Sequence, residues 1–335
     1  MITQKDTSIA CGVSLATVSK ALSGQTDIGE DTAQHIRDTA KAMGYLPNAA
    51  ARALKTNRSH NIGVLFEDKT SSGLRHEYFS EILQCIKTEA ERLGYDITFI
   101  SRNLGNMSMT YYEHAKYRNC DGVVIASVDF RHPDVIQLVE SNLPTVTLDY
   151  VFDSRTAIMS DNISGMIEIV EYVYKKGHRK IAFIHGEDTS VTQKRLASFR
   201  STCARLGVNV PDEYVKSAIF HDPRSSGLAT RELLALNDRP TCILYPDDFS
   251  FIGGMNEIEQ QGLSIPNDIS AVGYDGILLS QVLRPRLATY RQDAVTMGVK
   301  AAESIVDIIE HPLTSLPVQI MVPGQLWEGE TVKQL

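Results

Sequence analysis

The sequence has no long apolar segment and no organised set of cysteines. Nowhere does a run approach the roughly 20 apolar residues that a membrane-spanning helix requires. The N-terminal segment contains charged side chains and lacks the apolar region of a secretory signal. The five cysteines are scattered without CxxC spacing, which argues against a disulfide framework and a zinc site. We therefore expect a cytoplasmic protein with free thiols and with neither a metal nor a cofactor.

Acidic and basic residues are unevenly distributed along the chain. The net charge is -8, yet residues 1–60 contain seven Lys or Arg and five Asp or Glu, a net charge of +2. The remainder of the chain therefore has a net charge of -10. A mildly basic head on an acidic body predicts a protein whose head alone contacts nucleic acid phosphates.

Capping residues divide the N-terminal segment into three short helices. Thr3 and Asp6 form a capping-box pattern that opens the first helix. Ser14 caps a second helix of about eight residues, and a third begins near Glu30 and stops at Gly44. We expect their apolar side chains to pack together, namely Ile9, Val13, Val18, Leu22, Ala33, Ile36, Ala40 and Met43. Two short helices about a glycine turn, with a third helix bracing them, predict a helix-turn-helix.

The head also contains two long, specific motifs. The first, GVSLATVSKALSG, has the form GVS-x-ATVS, and the second, GYLPNAAARAL, has the form GY-x-PN-x-x-AR-x-L. Both closely resemble the DNA-binding head and hinge of the lactose-repressor (LacI/GalR) family. The resemblance implies that the second helix lies in the major groove of operator DNA.

The resemblance also implies which residues of the head contact DNA. Those facing base edges are Leu15, Ala16 and Lys20, and those whose hydroxyl groups bind phosphates are Ser14, Thr17 and Ser19. In the hinge, the resemblance implies that Asn48 caps a short helix that forms on the operator. Leu54 of this helix would insert into the central base step from the minor groove, and Arg52 and Lys55 flank it in the sequence. Such a helix is too short to be stable alone in water. A plain solvated linker is the alternative structure away from DNA.

Beyond the head, apolar runs alternate with helical stretches. The predicted strands are Ile62–Phe66, Ile97–Ile100, Gly122–Ala126, Thr145–Leu148, Ile181–Ile184, Cys242–Tyr245, Ile269–Val272 and Val318–Val322. The predicted helices are Glu77–Leu93, Ile163–Lys176, Gln193–Leu206, Phe251–Gln261 and Ala294–Ile309. This β-α alternation predicts an α/β fold with parallel sheets that are covered on both faces, and the length favours two sheets.

This second region resembles the effector domain of the same family, which is similar to periplasmic sugar-binding proteins of type I. The segments KKGHRKIAFIHG, RLASFR, VGYDG and LATYRQD all match. The resemblance implies a head at 1–46, a hinge and linker at 47–60, and an effector domain at 61–335. Its N-subdomain would span about 61–160 plus 292–321, and its C-subdomain about 161–291 plus 322–335. The effector would bind in the cleft between these doubly wound subdomains.

The resemblance places seven residues in that cleft. Arg195 matches the family arginine that grips the effector, Asp275 matches the carboxylate facing it, and Asp149 matches a second carboxylate. Asp247 stands in YPDD where relatives often have Asn in an AND triplet, which is a departure from the pattern. Weaker positions are filled by Gln292, Phe79 and Phe220. The loop from Glu67 to His76 is longer than the family's usual loop and receives no assigned role.

Together these features predict a ligand-responsive repressor that binds palindromic double-stranded DNA as a homodimer and responds to a sugar or a sugar derivative. A corepressor-dependent regulator or an activator of the same family is an alternative. A transport-type sugar receptor would share the cleft, but it would need a signal peptide and would have no helix-turn-helix. We expect no enzyme, because no GxSxG elbow, Walker loop or metal-binding set is present.

The hinge assignment yields the first testable prediction. If Leu54 wedges between base pairs, Leu54→Ala should weaken operator binding at fixed salt and leave effector affinity nearly unchanged. Fluorescence anisotropy with the operator and calorimetry with the effector measure the two quantities. An unchanged operator affinity would mean that the hinge is only a tether.

Overall fold

The computed structural model describes residues 2–25, 27–46, 58–67 and 72–335. They divide into two units, residues 1–59 and residues 60–335. Within the described ranges, no helix is long and apolar enough to cross a membrane.

The described residues of the first unit form three helices with the predicted caps. They are α1 (Gln4–Cys11), α2 (Leu15–Leu22) and α3 (Glu30–Ala42). Thr3 and Asp6 form the capping box on α1, and the Ser14 hydroxyl accepts a hydrogen bond from the Thr17 N–H at the start of α2. Gly12 ends α1 in the left-handed conformation, with φ of 65°, which glycine adopts without strain. The sequence prediction of this unit is confirmed at the level of its helices and caps.

The core of the first unit is small, and one predicted member does not belong to it. Val18, Ala21, Ala33 and Ile36 form the buried cluster, with Cys11, Val13, Leu22 and Ile28 packed at its edge. Ile9 is 71% exposed, so its predicted core position is wrong. Helix α1 buries the side chain of Thr7 instead, because Thr7 lies on the inner face of this two-turn helix.

The described part of the second unit contains fourteen strands. They are β1 (Asn61–Phe66), β2 (Asp96–Phe99), β3 (Asn103–Leu104), β4 (Met107–Ser108), β5 (Gly122–Ser127), β6 (Thr145–Leu148), β7 (Thr156–Ser160), β8 (Ile181–His185), β9 (Val215–Ser217), β10 (Cys242–Leu244), β11 (Ser270–Asp275), β12 (Ala288–Arg291), β13 (Gln319–Val322) and β14 (Gln325–Trp327). Its α-helices among the described residues are α4 (Glu77–Arg92), α5 (Tyr111–Tyr117), α6 (Pro133–Glu140), α7 (Asn162–Lys175), α8 (Ser190–Arg205), α9 (Pro223–Leu234), α10 (Asp248–Gln260), α11 (Leu278–Val282) and α12 (Ala294–Glu310).

Twelve of these strands form two six-stranded sheets. One sheet has the order β13-β7-β6-β5-β1-β2 and defines the N-subdomain, and the other has the order β14-β12-β11-β10-β8-β9 and defines the C-subdomain. All pairs are parallel except β12 with β14, so the second sheet is mixed. The chain crosses between subdomains three times, after β7, after β12 and after β13. The carboxyl ends of the parallel strands are where such folds bind ligands.

Each sheet is covered by helices on both faces. In the N-subdomain, Val64 belongs to a cluster that includes side chains of α4 and α12, while its neighbour Leu65 packs in a cluster with α5 and α6. In the C-subdomain, Phe183 packs with α7 and α8, and Ile184 packs with α9 and α10. Alternate side chains of a strand point to opposite faces, so near-continuous apolar strands are what this arrangement requires.

The alternation of apolar runs and helical stretches did not predict four strands of the two sheets, β7, β9, β12 and β14, or four helices, α5, α6, α9 and α11. The family resemblance does imply crossing strands near residues 160 and 290, where β7 and β12 lie. Strands β9 and β14 have only three residues each, too few to show a periodicity. Strand β12 reads ATYR, in which polar residues interrupt the apolar pattern. Strand β7 is buried along its whole length, but its sequence TAIMS includes Thr and Ser.

The packing of the first unit generates a prediction with a matched control. Ile36→Ala should destabilise the head by about 2–5 kcal/mol, because Ile36 is completely buried. Ile9→Ala should change stability by no more than about 0.5 kcal/mol, since Ile9 is mostly exposed. Amide hydrogen exchange of α2 and α3 in the full-length protein measures both effects. Equal protection in the two variants would contradict this packing.

Candidate functional site

The first candidate surface is the outer side of α2. Leu15, Ala16 and Lys20 are exposed, whereas Val18 and Ala21 on the opposite side are buried in the core. The exposed side therefore contains the residues that the sequence analysis assigns to base contacts. The 3.6-residue periodicity of the helix separates the exposed positions from those that hold the helix in place.

The polar residues of α2 already interact with one another. The hydroxyl groups of Ser14 and Thr17 lie 2.8 Å apart, so this pair forms the N-terminal turn of the helix. Lys20 forms an ion pair with Asp27, and hydrogen bonding from Lys20 lowers the pKa of that carboxyl group. Ser19 is half-buried. The hinge residues assigned to DNA, Asn48, Arg52, Leu54 and Lys55, lie outside the described residues.

The second candidate site is the cleft between the subdomains of the second unit. The carboxyl ends of five strands deliver polar side chains to it: Asp149 after β6, Ser160 at the end of β7, Asp247 after β10, Asp275 at the end of β11 and Gln292 after β12. Four of these, Ser160, Asp247, Asp275 and Gln292, are buried. The structure thus brings together residues that lie up to about 140 positions apart in the sequence.

Arg195 places a buried, positively charged side chain in this cleft. Its side chain lies on the inner side of α8 and is only 4% exposed. Nε donates to Asn162 Oδ1 at 2.7 Å, and Nη1 donates to the Pro246 carbonyl oxygen at 2.9 Å. The guanidinium carbon lies 3.4 Å from the centre of the Tyr274 ring, a cation–π contact. Among the described residues no carboxylate forms a salt bridge with Arg195, so neutral oxygens and an aromatic face fix its orientation.

Asp275 is linked to the N-subdomain through a chain of hydrogen bonds. Gln292 Nε2 donates to Asp275 Oδ1 at 2.7 Å, and the Ser160 hydroxyl donates to Gln292 Oε1 at 2.5 Å. Asp275 has a φ of 101°, a strained conformation for a side chain other than glycine. Ser160 belongs to the N-subdomain and Asp275 to the C-subdomain, so this chain joins the two beside their crossing strands.

Asp149 is held on the opposite wall of the cleft. Its Oδ1 accepts a hydrogen bond from the Ser160 N–H at 2.7 Å, and its carbonyl oxygen accepts one from the Ser190 hydroxyl at 2.7 Å. Ser190 begins α8, the helix of Arg195, so this second bond also joins the subdomains. Like Asp275, Asp149 has a positive φ, in this case 54°.

Both carboxyl groups hold their protons more tightly than usual. Burial raises the pKa of Asp275 to about 8, and the charge of Asp247 adds to the effect while Arg195 opposes it. Burial likewise raises the pKa of Asp149 to about 6, opposed by the hydrogen bond from Ser160 and by Arg195. The buried guanidinium of Arg195 therefore offsets only part of the cost of burying these acids.

The structure gives Asp247 a role in the fold. Its Oδ1 accepts from the Ser250 N–H, and its Oδ2 accepts from the Ser250 hydroxyl and the His221 N–H, at 2.7–2.8 Å. Asp247 is thus the N-cap of α10. Its neighbour Asp248, which the sequence analysis did not single out, is completely buried and accepts hydrogen bonds from the Thr289 hydroxyl and the Ile277 N–H.

The predicted aromatic residues occupy two different surroundings. The Phe220 ring lies 6.0 Å from the Arg195 guanidinium, at the edge of the cleft. Phe79 packs against Phe66, with ring centres 5.0 Å apart, and contacts the His76 ring edge-to-face at 4.9 Å. His76 in turn stacks on His221, which stacks on Phe249, each at 4.1 Å. The sequence analysis missed this stack, because its rings come from three distant segments.

Comparison with known proteins gives the same assignment for both units. Residues 3–48 match the family described as bacterial regulatory proteins, lacI family, and residues 170–332 match the periplasmic binding protein-like domain. The "Probable HTH-type transcriptional repressor ExuR" of Bacillus subtilis is 32% identical over 318 residues, which cover 94% of this chain and 93% of the relative. The ribose operon repressor of Escherichia coli is 28% identical over 326 residues, which cover 95% of each chain.

Solved structures share the fold along the whole chain. The lac repressor dimer bound to operator and the anti-inducer ONPF superposes with a TM-score of 0.82 at 24% identity, covering 99% of each chain. A structure described as a transcriptional regulator CelR–cellobiose complex superposes with a TM-score of 0.72 at 21% identity, covering 99% of this chain and all of the other. At these identities the likeness is one of fold.

The buried acids generate a prediction about pH. Asp275 titrates near 3.8 when unfolded and near 8 when folded, so its ionisation opposes folding and stability falls as pH rises between these values. Between pH 6 and 8, above the pKa of Asp149, ionisation of Asp275 should lower stability by up to about 1.4 kcal/mol per pH unit, and Asp248, whose pKa burial also raises, adds to this slope. Asp275→Asn should therefore make the slope less steep.

Chemical denaturation at several pH values measures the slope. The control is Asp153→Asn, which changes an exposed aspartate of the same unit and should leave the slope as in the wild type. Identical slopes for wild type and Asp275→Asn would contradict the raised pKa.

Proposed function

Since this chain belongs to the lacI family of bacterial regulatory proteins, we propose that it represses transcription by binding operator DNA and that a polyhydroxylated effector in its cleft controls that binding. The observation that carries the proposal is that one chain contains a capped helix-turn-helix and a cleft with a buried Arg195 facing two carboxyl groups.

The head supports the DNA-binding half of this proposal. The exposed side of α2 presents Leu15, Ala16 and Lys20, which suit apolar and hydrogen-bonding contacts to base edges in the major groove. Ser14, Thr17 and Ser19 are assigned to phosphates, since hydroxyl groups near a helix N-terminus favour anions. We assign Asn48, Arg52, Leu54 and Lys55 to the hinge contacts that the family resemblance implies.

The chemistry of the cleft supports the effector half. The Arg195 guanidinium has five N–H donors, of which one on Nε and one on Nη1 bond to the protein. The Nη2 group is therefore available to donate to an oxygen of the effector. Asp149 and Asp275 each use one carboxylate oxygen in hydrogen bonds to the described residues, which leaves the other for effector hydroxyl groups. Phe79 and Phe220 supply apolar faces, and Gln292 and Asp247 orient the walls. Neighbouring hydroxyl groups on one small molecule satisfy such a set, as in a sugar or a sugar derivative.

The proposed domain boundaries separate the residues that bind DNA from those that bind the effector. We assign residues 1–46 to DNA reading, 47–60 to the hinge, and 61–335 to effector binding. The effector touches both subdomains and therefore favours one relative arrangement of them, and it alters DNA affinity only through its different affinities for the two arrangements. An effector that releases the protein from the operator is an inducer, and one that promotes operator binding is a corepressor.

Two measurements test the function itself. Full-length protein should select a palindromic sequence from randomised duplexes. Anisotropy with that duplex should then change when a sugar, sugar phosphate, uronate or nucleobase is added, by about 5- to 150-fold in affinity. Failure to select any sequence would reject the DNA-binding half, and a selected sequence with no responsive compound would reject the effector class.

Arg195 provides a prediction with a control on the same helix. Arg195→Ala should retain operator affinity but need roughly 10- to 150-fold more effector to respond, because charge-assisted hydrogen bonds contribute about 1.5–3 kcal/mol each. Arg200→Ala should respond normally, since Arg200 is exposed and pairs with Asp212 on the surface. A normal response of Arg195→Ala would show that the effector is held elsewhere.

A further inference from the structure

The segment of the head that contains α2 has no net charge. Between residues 7 and 29 the only charged side chains are Lys20 and Asp27. Lys20 lies in the last turn of α2, and Asp27 lies in the connection between α2 and α3. The Lys20 ammonium donates to Asp27 Oδ2 at 2.5 Å, so the two charges of this segment pair with each other.

This ion pair contributes little to the stability of the head. The side chains of Lys20 and Asp27 are 46% and 55% exposed, and solvent screens ion pairs that are exposed to this degree. Ile28, the residue after Asp27, packs at the edge of the head core and anchors this part of the connection. Hydrogen bonding from Lys20 lowers the pKa of Asp27, so its carboxyl group is ionised at neutral pH. An ionised carboxylate is therefore fixed beside the only cation in the sequence of α2.

A carboxylate at this position opposes non-specific DNA binding. Phosphates attract cations without regard to sequence, whereas Asp27 neutralises the nearest cation and repels phosphates. Residues 41–60, in contrast, contain four Lys or Arg and no Asp or Glu. The charge that attracts DNA and the helix assigned to base contacts thus belong to different segments of the chain.

Lys20 needs a fixed partner if it is to distinguish one base from another. An arginine binds guanine through a planar fork, whereas a lysine ammonium lies at the end of a flexible chain and has no fixed direction. The ammonium has three N–H donors, and Asp27 engages one of them. The other two match the adjacent major-groove acceptors of guanine, N7 and O6. Asp27 therefore restricts the Lys20 side chain before DNA binds, which lowers the entropy lost on binding.

We propose that Asp27 is a positioning residue for sequence recognition, which directs the Lys20 ammonium to guanine and away from phosphates. This inference rests on the proposed function and extends it to one base pair of each operator half-site. An A·T pair places a donor between its two major-groove acceptors, so Lys20 held by Asp27 should prefer a G·C pair. Loss of the Asp27 carboxylate should lower this preference and strengthen binding to arbitrary DNA.

Selection from randomised duplexes identifies the base pair that Lys20 reads. The full-length wild type should select G·C at one position of each half-site, and Lys20→Ala should lose this preference and keep the others. A duplex in which that pair is changed to A·T should then bind the wild type at least about 5-fold more weakly for each half-site changed.

Fluorescence anisotropy over a series of salt concentrations compares the variants. Asp27→Asn should lose most of this 5-fold discrimination, and its binding to an unrelated duplex should depend more steeply on salt, by up to about one unit of the log–log slope. The matched control is Asp38→Asn, which removes an exposed carboxylate of α3 that accepts a hydrogen bond from Gln34 and should leave base preference unchanged. Adding Asp27→Asn to Lys20→Ala should change nothing further at this base pair, because Asp27 acts through Lys20.

Four results would overturn the proposal. Equal discrimination by wild type and Asp27→Asn would show that Lys20 reads its base without Asp27. An equal loss in Asp38→Asn would assign the effect to the net charge of the head. A further loss when Asp27→Asn is added to Lys20→Ala would show that Asp27 does not act through Lys20. A selected operator in which no base pair depends on Lys20 would reject this inference and leave the proposed function standing, whereas failure to select any sequence would reject both.

Discussion

A buried guanidinium held by neutral oxygens is the interaction on which the cleft depends. Arg195 donates to Asn162 and to the Pro246 carbonyl oxygen and rests on the Tyr274 ring, without a salt bridge among the described residues. A buried charge is tolerated only when its donors are satisfied, so these contacts fix the side chain in one orientation. The positive charge remains available to a ligand, and it partly offsets the cost of burying Asp275.

The same region connects the two subdomains, so ligand binding and domain arrangement share residues. Ser160, Gln292 and Asp275 form one hydrogen-bonded connection, and the Ser190 hydroxyl to the Asp149 carbonyl forms another. Each connection involves a residue at or beside the groups proposed to bind effector. A molecule that competes for these hydrogen bonds necessarily changes the free-energy difference between arrangements of the subdomains, which is the physical requirement for a ligand-controlled regulator.

Local signals in the sequence predicted the head well and the cleft only in part. Helix caps such as Ser14 act within a few residues, so pattern alone located all three head helices. The cleft depends on contacts between distant segments, which no local pattern encodes. The family resemblance assigns Asp247 to the effector, and no local pattern showed that its carboxylate also caps α10 and accepts a hydrogen bond from the His221 N–H.

The central claim is that effector and operator compete or cooperate through one two-state equilibrium. Calorimetric titration of an identified effector into the free protein and into its operator complex tests this most directly. The account predicts that operator changes effector affinity by the same factor, about 5- to 150-fold, by which effector changes operator affinity, since the coupling free energy is reciprocal. Equal effector affinities with and without operator would contradict it, because effector binding in the cleft would then not be coupled to DNA binding by the head.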